Sequence, residues 1–195
     1  MALRPAIFLD KDGTVLQDVP YNVDPANMIF APGAAAGLAR LALLGVPLYV
    51  ITNQPGIALG RFCLDDLADM QQHLSQMFTQ VGATLDGLYF CPHHPEGTVP
   101  QYACECECRK PAPGLLLHAA KQHGIDLARS WLIGDILNDI EAGNRAGCQT
   151  ILIDNGNETE WDLDQGRTPD YRVADLEEAS RFVLGQRVHL TELYS

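Results

Sequence analysis

An α/β fold, with a parallel sheet covered by helices on both faces, is what this 195-residue sequence predicts. Short apolar runs of strand length alternate with amphipathic stretches of helix length along most of the chain. The apolar runs are continuous and rich in β-branched residues, as strands buried on both faces require. Polar and acidic residues follow them directly, where an open parallel sheet places its ligand groups.

The first strand spans 6–10 and runs into Asp10-Lys11-Asp12-Gly13-Thr14. A loop of about 20 residues follows, through Pro20 and Pro25 to Pro32-Gly33, and long loops beside a site often cover it. Leu38, Leu41, Ala42 and Leu44 recur at helical spacing over 34–44, and Gly45 ends that helix. The second strand, 46–51, ends in Thr52-Asn53-Gln54-Pro55-Gly56. Leu64, Leu67, Met70, Leu74, Met77, Phe78 and Val81 form the apolar stripe of a helix over 64–82, and a third strand runs near 85–90. Beyond a cysteine-rich loop at 91–108 come a helix over 113–124 and the strand Trp131-Leu132-Ile133, which ends in Gly134-Asp135. A helix over 136–146 and a strand over 150–153 follow. Asn155-Gly156-Asn157-Glu158 marks a loop, before a short edge strand at 171–173 and a helix at 176–184. With no repeat or low-complexity tract, residues 1–195 read as a single domain into which the cysteine loop is inserted; the segment ending in Leu193-Tyr194-Ser195 has no assignable pattern. A chain of this length buries roughly 70% of its unfolded surface, enough for a full core.

Composition narrows the function. An apolar fraction of 47% is that of an ordinary globular protein, but 13 Lys and Arg against 25 Asp and Glu leave a net charge of −12. That charge repels nucleic acid and anionic membrane surfaces. It would also repel a small phosphorylated substrate, unless a metal and a few placed cations reverse the sign locally. The longest apolar stretch, residues 41–51, falls short of the ~18 residues of a membrane span. The N-terminus lacks the pattern of a signal peptide, so a cytoplasmic protein is expected. No large exposed apolar helix face is evident, which predicts a monomer.

Five stretches carry chemistry. Two carboxylates, Asp10 and Asp12, at the end of a buried strand are costly unless a cation compensates them, and Gly13 behind them lets the backbone approach a ligand closely. Thr52 and Asn53 offer neutral donors at the next strand end, Arg109-Lys110 offer cations, and Asp135 with Asp139 offer further carboxylates. Each has an ordinary alternative: an acidic turn, a turn cap, a solvated lysine, a carboxylate at a helix start. In the cysteine loop, Cys91-Pro92-His93 and Cys106-Glu107-Cys108 supply three thiolates and one imidazole, the ligand set of a closed tetrahedral zinc site. A Cys104-Cys106 pairing and His94 are alternative ligands on composition alone.

Taken together, Asp-x-Asp-Gly-Thr at 10–14, Thr52, Lys110 and Gly134-Asp135-x-x-x-Asp139 resemble, in order, the four motifs of the haloacid dehalogenase superfamily, over roughly residues 5–154. The resemblance implies a Rossmann-like sheet and hydrolysis of a phosphate ester through an aspartyl phosphate. Asp10 would be the nucleophile and Asp12 the acid/base. Mg²⁺ would be held by Asp10, the backbone carbonyl of Asp12 and Asp135, with Asp139 assisting through water. Lys110 would neutralise Asp10, and Thr52 would donate to a phosphoryl oxygen. Asn53-Gln54-Pro55-Gly56-Ile57-Ala58, Cys91-Pro92-His93-His94-Pro95 and Cys106-x-Cys108-Arg109-Lys110-Pro111 further resemble the subfamily of heptose-bisphosphate and histidinol-phosphate phosphatases. That likeness implies no large cap domain, a structural Zn²⁺ on Cys91, His93, Cys106 and Cys108, and substrate contacts from Asn53, Arg109 and Lys110. Arg109 or Arg61 could take a second phosphate. The implied substrate is a small phosphorylated metabolite, D-glycero-D-manno-heptose 1,7-bisphosphate first and histidinol phosphate next. One departure is Ile136, where many heptose-bisphosphate phosphatases carry a lysine. A reading of another class is a zinc-stapled protein that binds a phosphorylated ligand without hydrolysing it.

Overall fold

The computed structural model describes residues 3–164 and 166–192. Six parallel strands form one sheet: β1 (Ile7–Leu9), β2 (Leu48–Asn53), β3 (Gly87–Cys91), β4 (Trp131–Gly134), β5 (Gln149–Ile153) and β6 (Tyr171–Val173), in the order β3-β2-β1-β4-β5-β6. The helices are α1 (Ala34–Ala42), α2 (Leu64–Gln80), α3 (Gly114–His123), α4 (Leu137–Ala146) and α5 (Leu176–Glu192).

Both faces of the sheet are buried at its centre, in β1, β2 and β4, which is why those strands read as continuous apolar runs, whereas the edge strands β3 and β6 are half-buried to exposed. Ile7, Leu9, Leu48 and Val50 point to one side, into a core with Leu38 and Leu41 of α1, Met70, Leu74 and Phe78 of α2, and Leu176 and Ala179 of α5. Phe8, Tyr49, Ile51 and Leu132 alternate to the other side, against Leu115, Leu116 and Ala119 of α3 and Ala142 of α4. The two cores are the two layers of helices expected.

Boundaries differ from the sequence reading at informative places. β2 begins at Leu48, because Pro47 has no N–H to give the ladder, and its carbonyl accepts from Ile7 N at 3.0 Å. It continues through Thr52 and Asn53, which pair with Phe90 and Cys91 of β3. Both polar residues therefore sit on a strand and not in the turn after it. α5 runs past Leu184 to Glu192, since Gly185 without a following proline does not stop a helix. The long loop after β1 is pinned by a bridge between Leu16 and Phe30 and by a short 3₁₀ turn at Pro25–Asn27.

The chain leaves β1 toward β2 and β3 on one side, then returns to β4 on the other. That reversal puts the switch point of the strand order at the carboxyl ends of β1 and β4, the ligand position of an open α/β sheet. Among the described residues, no helix is long and apolar enough to cross a membrane.

Candidate active site

β1 ends in Asp10, whose N–H continues the ladder by donating to Ile133 O at 2.9 Å. The chain then turns sharply: Val15 N and Leu16 N both donate to Lys11 O, and Gly13 N donates to Leu16 O at 2.8 Å. Gly13 makes the turn possible. Its φ is +84°, and a Cβ there would lie 2.0 Å from Asp135 Oδ2 and 2.5 Å from Asn157 Nδ2. The glycine brings the first carboxylate turn against the end of β4.

Three buried carboxylates meet there. Oxygens of Asp10, Asp135 and Asp139 all lie within 4.8 Å of one another. Facing them is one buried ammonium, Lys110 Nζ, which is paired with Asp10, lies 2.6 Å from Asp139 Oδ1, and donates to Ile51 O at 3.1 Å. Burial pushes the Asp10 carboxyl well above its usual range; Lys110 pulls it down, but Asp139, Asp135 and Asp12 add to the upward push. Asp135 is pushed up to about 7, by burial and then by Asp139, against Asn157, Lys110 and Thr14. Burial disfavours the Lys110 ammonium, yet Asp10 and Asp139 more than offset it and raise its pKa. With all three carboxylates ionised, one ammonium would leave two negative charges uncompensated in a buried space; a divalent cation would fill that deficit, and oxygen donors suit a hard one such as Mg²⁺.

Asp12 sits in a different setting from Asp10. Its side chain keeps 24% exposure, Lys11 Nζ donates to Oδ1 at 2.7 Å, and Gln54 Nε2 lies 3.5 Å from Oδ2. Burial raises its pKa, opposed by Lys11. Lys11 is fully buried and also donates to Asn22 O at 2.9 Å, which ties the covering loop to the carboxylate turn. Gln54 reaches both sides as well, donating to Thr52 Oγ1 at 3.0 Å.

The cysteine loop closes on itself. Cys91, His93, Cys106 and Cys108 bring their ligand atoms within 4.8 Å of one another, with Sγ–Sγ separations of 3.5, 3.2 and 3.3 Å and His93 Nδ1 3.4 Å from Cys108 Sγ. A tetrahedral zinc with Zn–S near ~2.3 Å needs sulfurs a little under about 4 Å apart, so the donor set fits. Cys104 is exposed and outside the cluster, and His94 Nδ1 accepts from Glu96 N at 3.1 Å; neither competes for the site. The loop then delivers Arg109, whose guanidinium donates to His93 O at 3.3 Å, and Lys110. Arg61 stacks over the Tyr21 ring at 5.6 Å, beside a cleft of about 610 Å³ lined by Ile57, Phe62, Val99 and Tyr102.

Residues 107–179 match the model of the HAD-hydrolase-like family. The D-glycero-β-D-manno-heptose-1,7-bisphosphate 7-phosphatase of Yersinia pestis is 40% identical over 149 residues, 76% of this chain and 79% of that protein. Its counterpart in Escherichia coli strain K12 is 36% identical over 184 residues, 90% and 93% of the two chains. The chain belongs to the haloacid dehalogenase-like hydrolases. A crystal structure of the D,D-heptose 1,7-bisphosphate phosphatase of B. bronchiseptica, complexed with magnesium and phosphate, superposes with a TM-score of 0.76 at 30% identity, over 93% of this chain and 99% of that one.

As a haloacid dehalogenase-like hydrolase, the chain brings Asp10, Asp12, Thr52, Lys110, Asp135 and Asp139 to one end of the sheet. Asn53, read from sequence as a substrate contact, has its carboxamide on the backbone of Lys110 at both ends. Ile136 is half-buried, and its N–H lies 3.4 Å from Asp139 Oδ2 at the start of α4. Sequence reasoning missed Lys11, Gln54, Asn155 and Asn157. A signal for the asparagines existed: β5 lies parallel to and beside β4, so the connection that leaves it must begin at the site's end of the sheet.

Proposed function

We propose that this haloacid dehalogenase-like hydrolase is a Mg²⁺-dependent D-glycero-β-D-manno-heptose 1,7-bisphosphate 7-phosphatase, a single-domain cytoplasmic monomer. The observation that carries the reading is the contrast between the two carboxylates of one turn. Asp10 lies among Asp135, Asp139 and Lys110, whereas Asp12, two residues on, turns to Lys11 and Gln54. A nucleophile and a general acid need such separate surroundings.

An Asp10 oxygen attacks phosphorus and the ester oxygen leaves, taking a proton from Asp12. The aspartyl phosphate is then attacked by water as Asp12 takes the water's proton back, releasing inorganic phosphate and restoring Asp10. The raised proton affinity of Asp12 favours its acid role. Lys110 offsets the charge on Asp10 and on the transferring group, and Thr52 donates its hydroxyl to a phosphoryl oxygen. Asp10, the Asp12 carbonyl and Asp135 would hold Mg²⁺, with Asp139 close by, and the cation would supply charge neutralisation at the phosphoryl oxygens. Zinc on Cys91, His93, Cys106 and Cys108 would be structural, fixing where Arg109 and Lys110 begin. Arg109 or Arg61 would serve the distal phosphate of the substrate.

The relatives' names support the substrate, and their identity over most of the chain supports the reaction class. kcat/KM should be highest on the heptose 1,7-bisphosphate, compared with histidinol phosphate and simple sugar phosphates. Equal or better turnover of histidinol phosphate would overturn the substrate. Absence of any Mg²⁺-dependent phosphate release would favour a binding protein.

A further inference from the structure

Asp135 is held at both oxygens. Thr14 Oγ1 donates to Oδ1 at 3.2 Å, and Asn157 Nδ2 donates to Oδ2 at 2.7 Å. Asn157 belongs to the connection after β5, in the Asn155-Gly156-Asn157-Glu158 stretch that the sequence reads only as a loop. Two more bonds fasten that stretch to the active-site end of the fold, and a third braces it internally. Asn155 Nδ2 donates to Gly13 O at 2.8 Å, Asn157 N donates to Asn155 Oδ1 at 3.1 Å, and Leu137 N, in the first turn of α4, donates to Glu158 Oε2 at 2.6 Å. One short segment thus grips the turn that carries Asp10 and Asp12, the Asp135 side chain, and the helix start beside it.

A surface loop with no part in the site would give its amides to water. Here they go to a carboxylate oxygen and to a carbonyl of the catalytic turn. The terminal torsion of an aspartate is broad, so a carboxylate without fixed donors presents its oxygens over a wide range of angles. One donor on each oxygen fixes the plane and leaves each oxygen a lone pair free. We propose that Asn157, braced by Asn155 and Glu158, is a positioning residue that sets the plane of Asp135 for the divalent cation. The inference rests on reading Asp135 as a metal ligand. Partners of this kind around a metal-binding carboxylate are worth roughly 10- to 100-fold in metal affinity.

The test is a titration of the full-length protein with Mg²⁺ alone, without substrate, followed through the rise in melting temperature that binding produces. The proteins are wild type, Asn157→Ala, Asp135→Asn and Asn144→Ala. Asn144 tethers the far end of the same connection, its Nδ2 donating to Gly166 O at 2.9 Å and Thr168 O at 3.0 Å, without touching Asp135. Asn157→Ala should move the Mg²⁺ midpoint up by roughly tenfold or more. Asn144→Ala should leave the midpoint near that of wild type even where its metal-free melting temperature falls. Asp135→Asn should remove the response. An Asn157→Ala midpoint like that of wild type, while Asp135→Asn loses the response, overturns the positioning role alone. So does an equal shift in Asn144→Ala, which would mean that loosening the loop suffices. A wild-type response in Asp135→Asn instead overturns the metal reading beneath it.

Discussion

Asn53 holds the backbone of Lys110 by both ends of its carboxamide: Nδ2 donates to Lys110 O at 3.0 Å, and Lys110 N donates to Asn53 Oδ1 at 3.0 Å. The end of β2 is thereby locked to the exit of the cysteine loop, and the ammonium that meets Asp10 is placed from two directions.

Removing that lock should loosen Lys110 without removing its charge. Two hydrogen bonds at about 0.5–1.5 kcal/mol each, about 1–3 kcal/mol together, correspond to roughly a 5- to 160-fold fall in kcat for Asn53→Ala. Zinc content should stay at the wild-type level. Steady-state kinetics with metal analysis of the same preparation checks both.

Lys110→Met should do more damage. It takes the single cation from among three buried carboxylates, and breaking a buried ion pair from one side costs about 3–5 kcal/mol. The variant should melt lower in metal-free buffer and lose turnover. Added Mg²⁺ should recover part of the stability, because it meets the same charge deficit. Thermal melts with and without Mg²⁺ read this directly.

Zinc removal should act through the same lysine. A chelator strong enough to strip Cys91, His93, Cys106 and Cys108, or the Cys106→Ser variant, should abolish activity even at saturating Mg²⁺. A loss of about 3 kcal/mol would lower the melting temperature by roughly 6–12 °C in a chain of this size. Acid should favour release, since three thiolates must take protons back. Metal analysis against pH should follow the fall in stability.

Gly13→Ala places a methyl 2.0 Å from Asp135 Oδ2 on a backbone with φ of +84°. A left-handed non-glycine residue costs on the order of 1–3 kcal/mol, and the clash adds displacement of Asp135. Turnover should be lost and the melting temperature lowered, as kinetics and a thermal melt would show.

The sheet was legible because both of its faces are buried at its centre: Ile7, Phe8 and Leu9, and again Leu48 through Ile51, leave no polar alternation to confuse strand with loop. The carboxylates, Thr52, Lys110 and the clustered cysteines could be singled out because each stands in a short local motif, while their meeting in space comes only from the fold. What was not legible depends on the fold. Lys11 between two aspartates gives no sequence signal of a structural role, yet it is fully buried and donates to the carbonyl of Asn22. Asn53 reads as a phosphate donor, and its hold on the Lys110 backbone, far along the chain, has no local signal. Asn155 and Asn157 read as loop formers, because their nearness to Gly13 and Asp135 comes from the strand order and not from any local pattern.

Phosphate release from D-glycero-β-D-manno-heptose 1,7-bisphosphate in Mg²⁺, compared between wild type and Asp10→Asn, decides whether Asp10 is the nucleophile. The nucleophile assignment predicts a fall in kcat on the order of 10³-fold or more. Zinc content should be unchanged and the melting temperature close to that of wild type, since Lys110 keeps Asp139 as a partner. Turnover by Asp10→Asn at near the wild-type rate would contradict it.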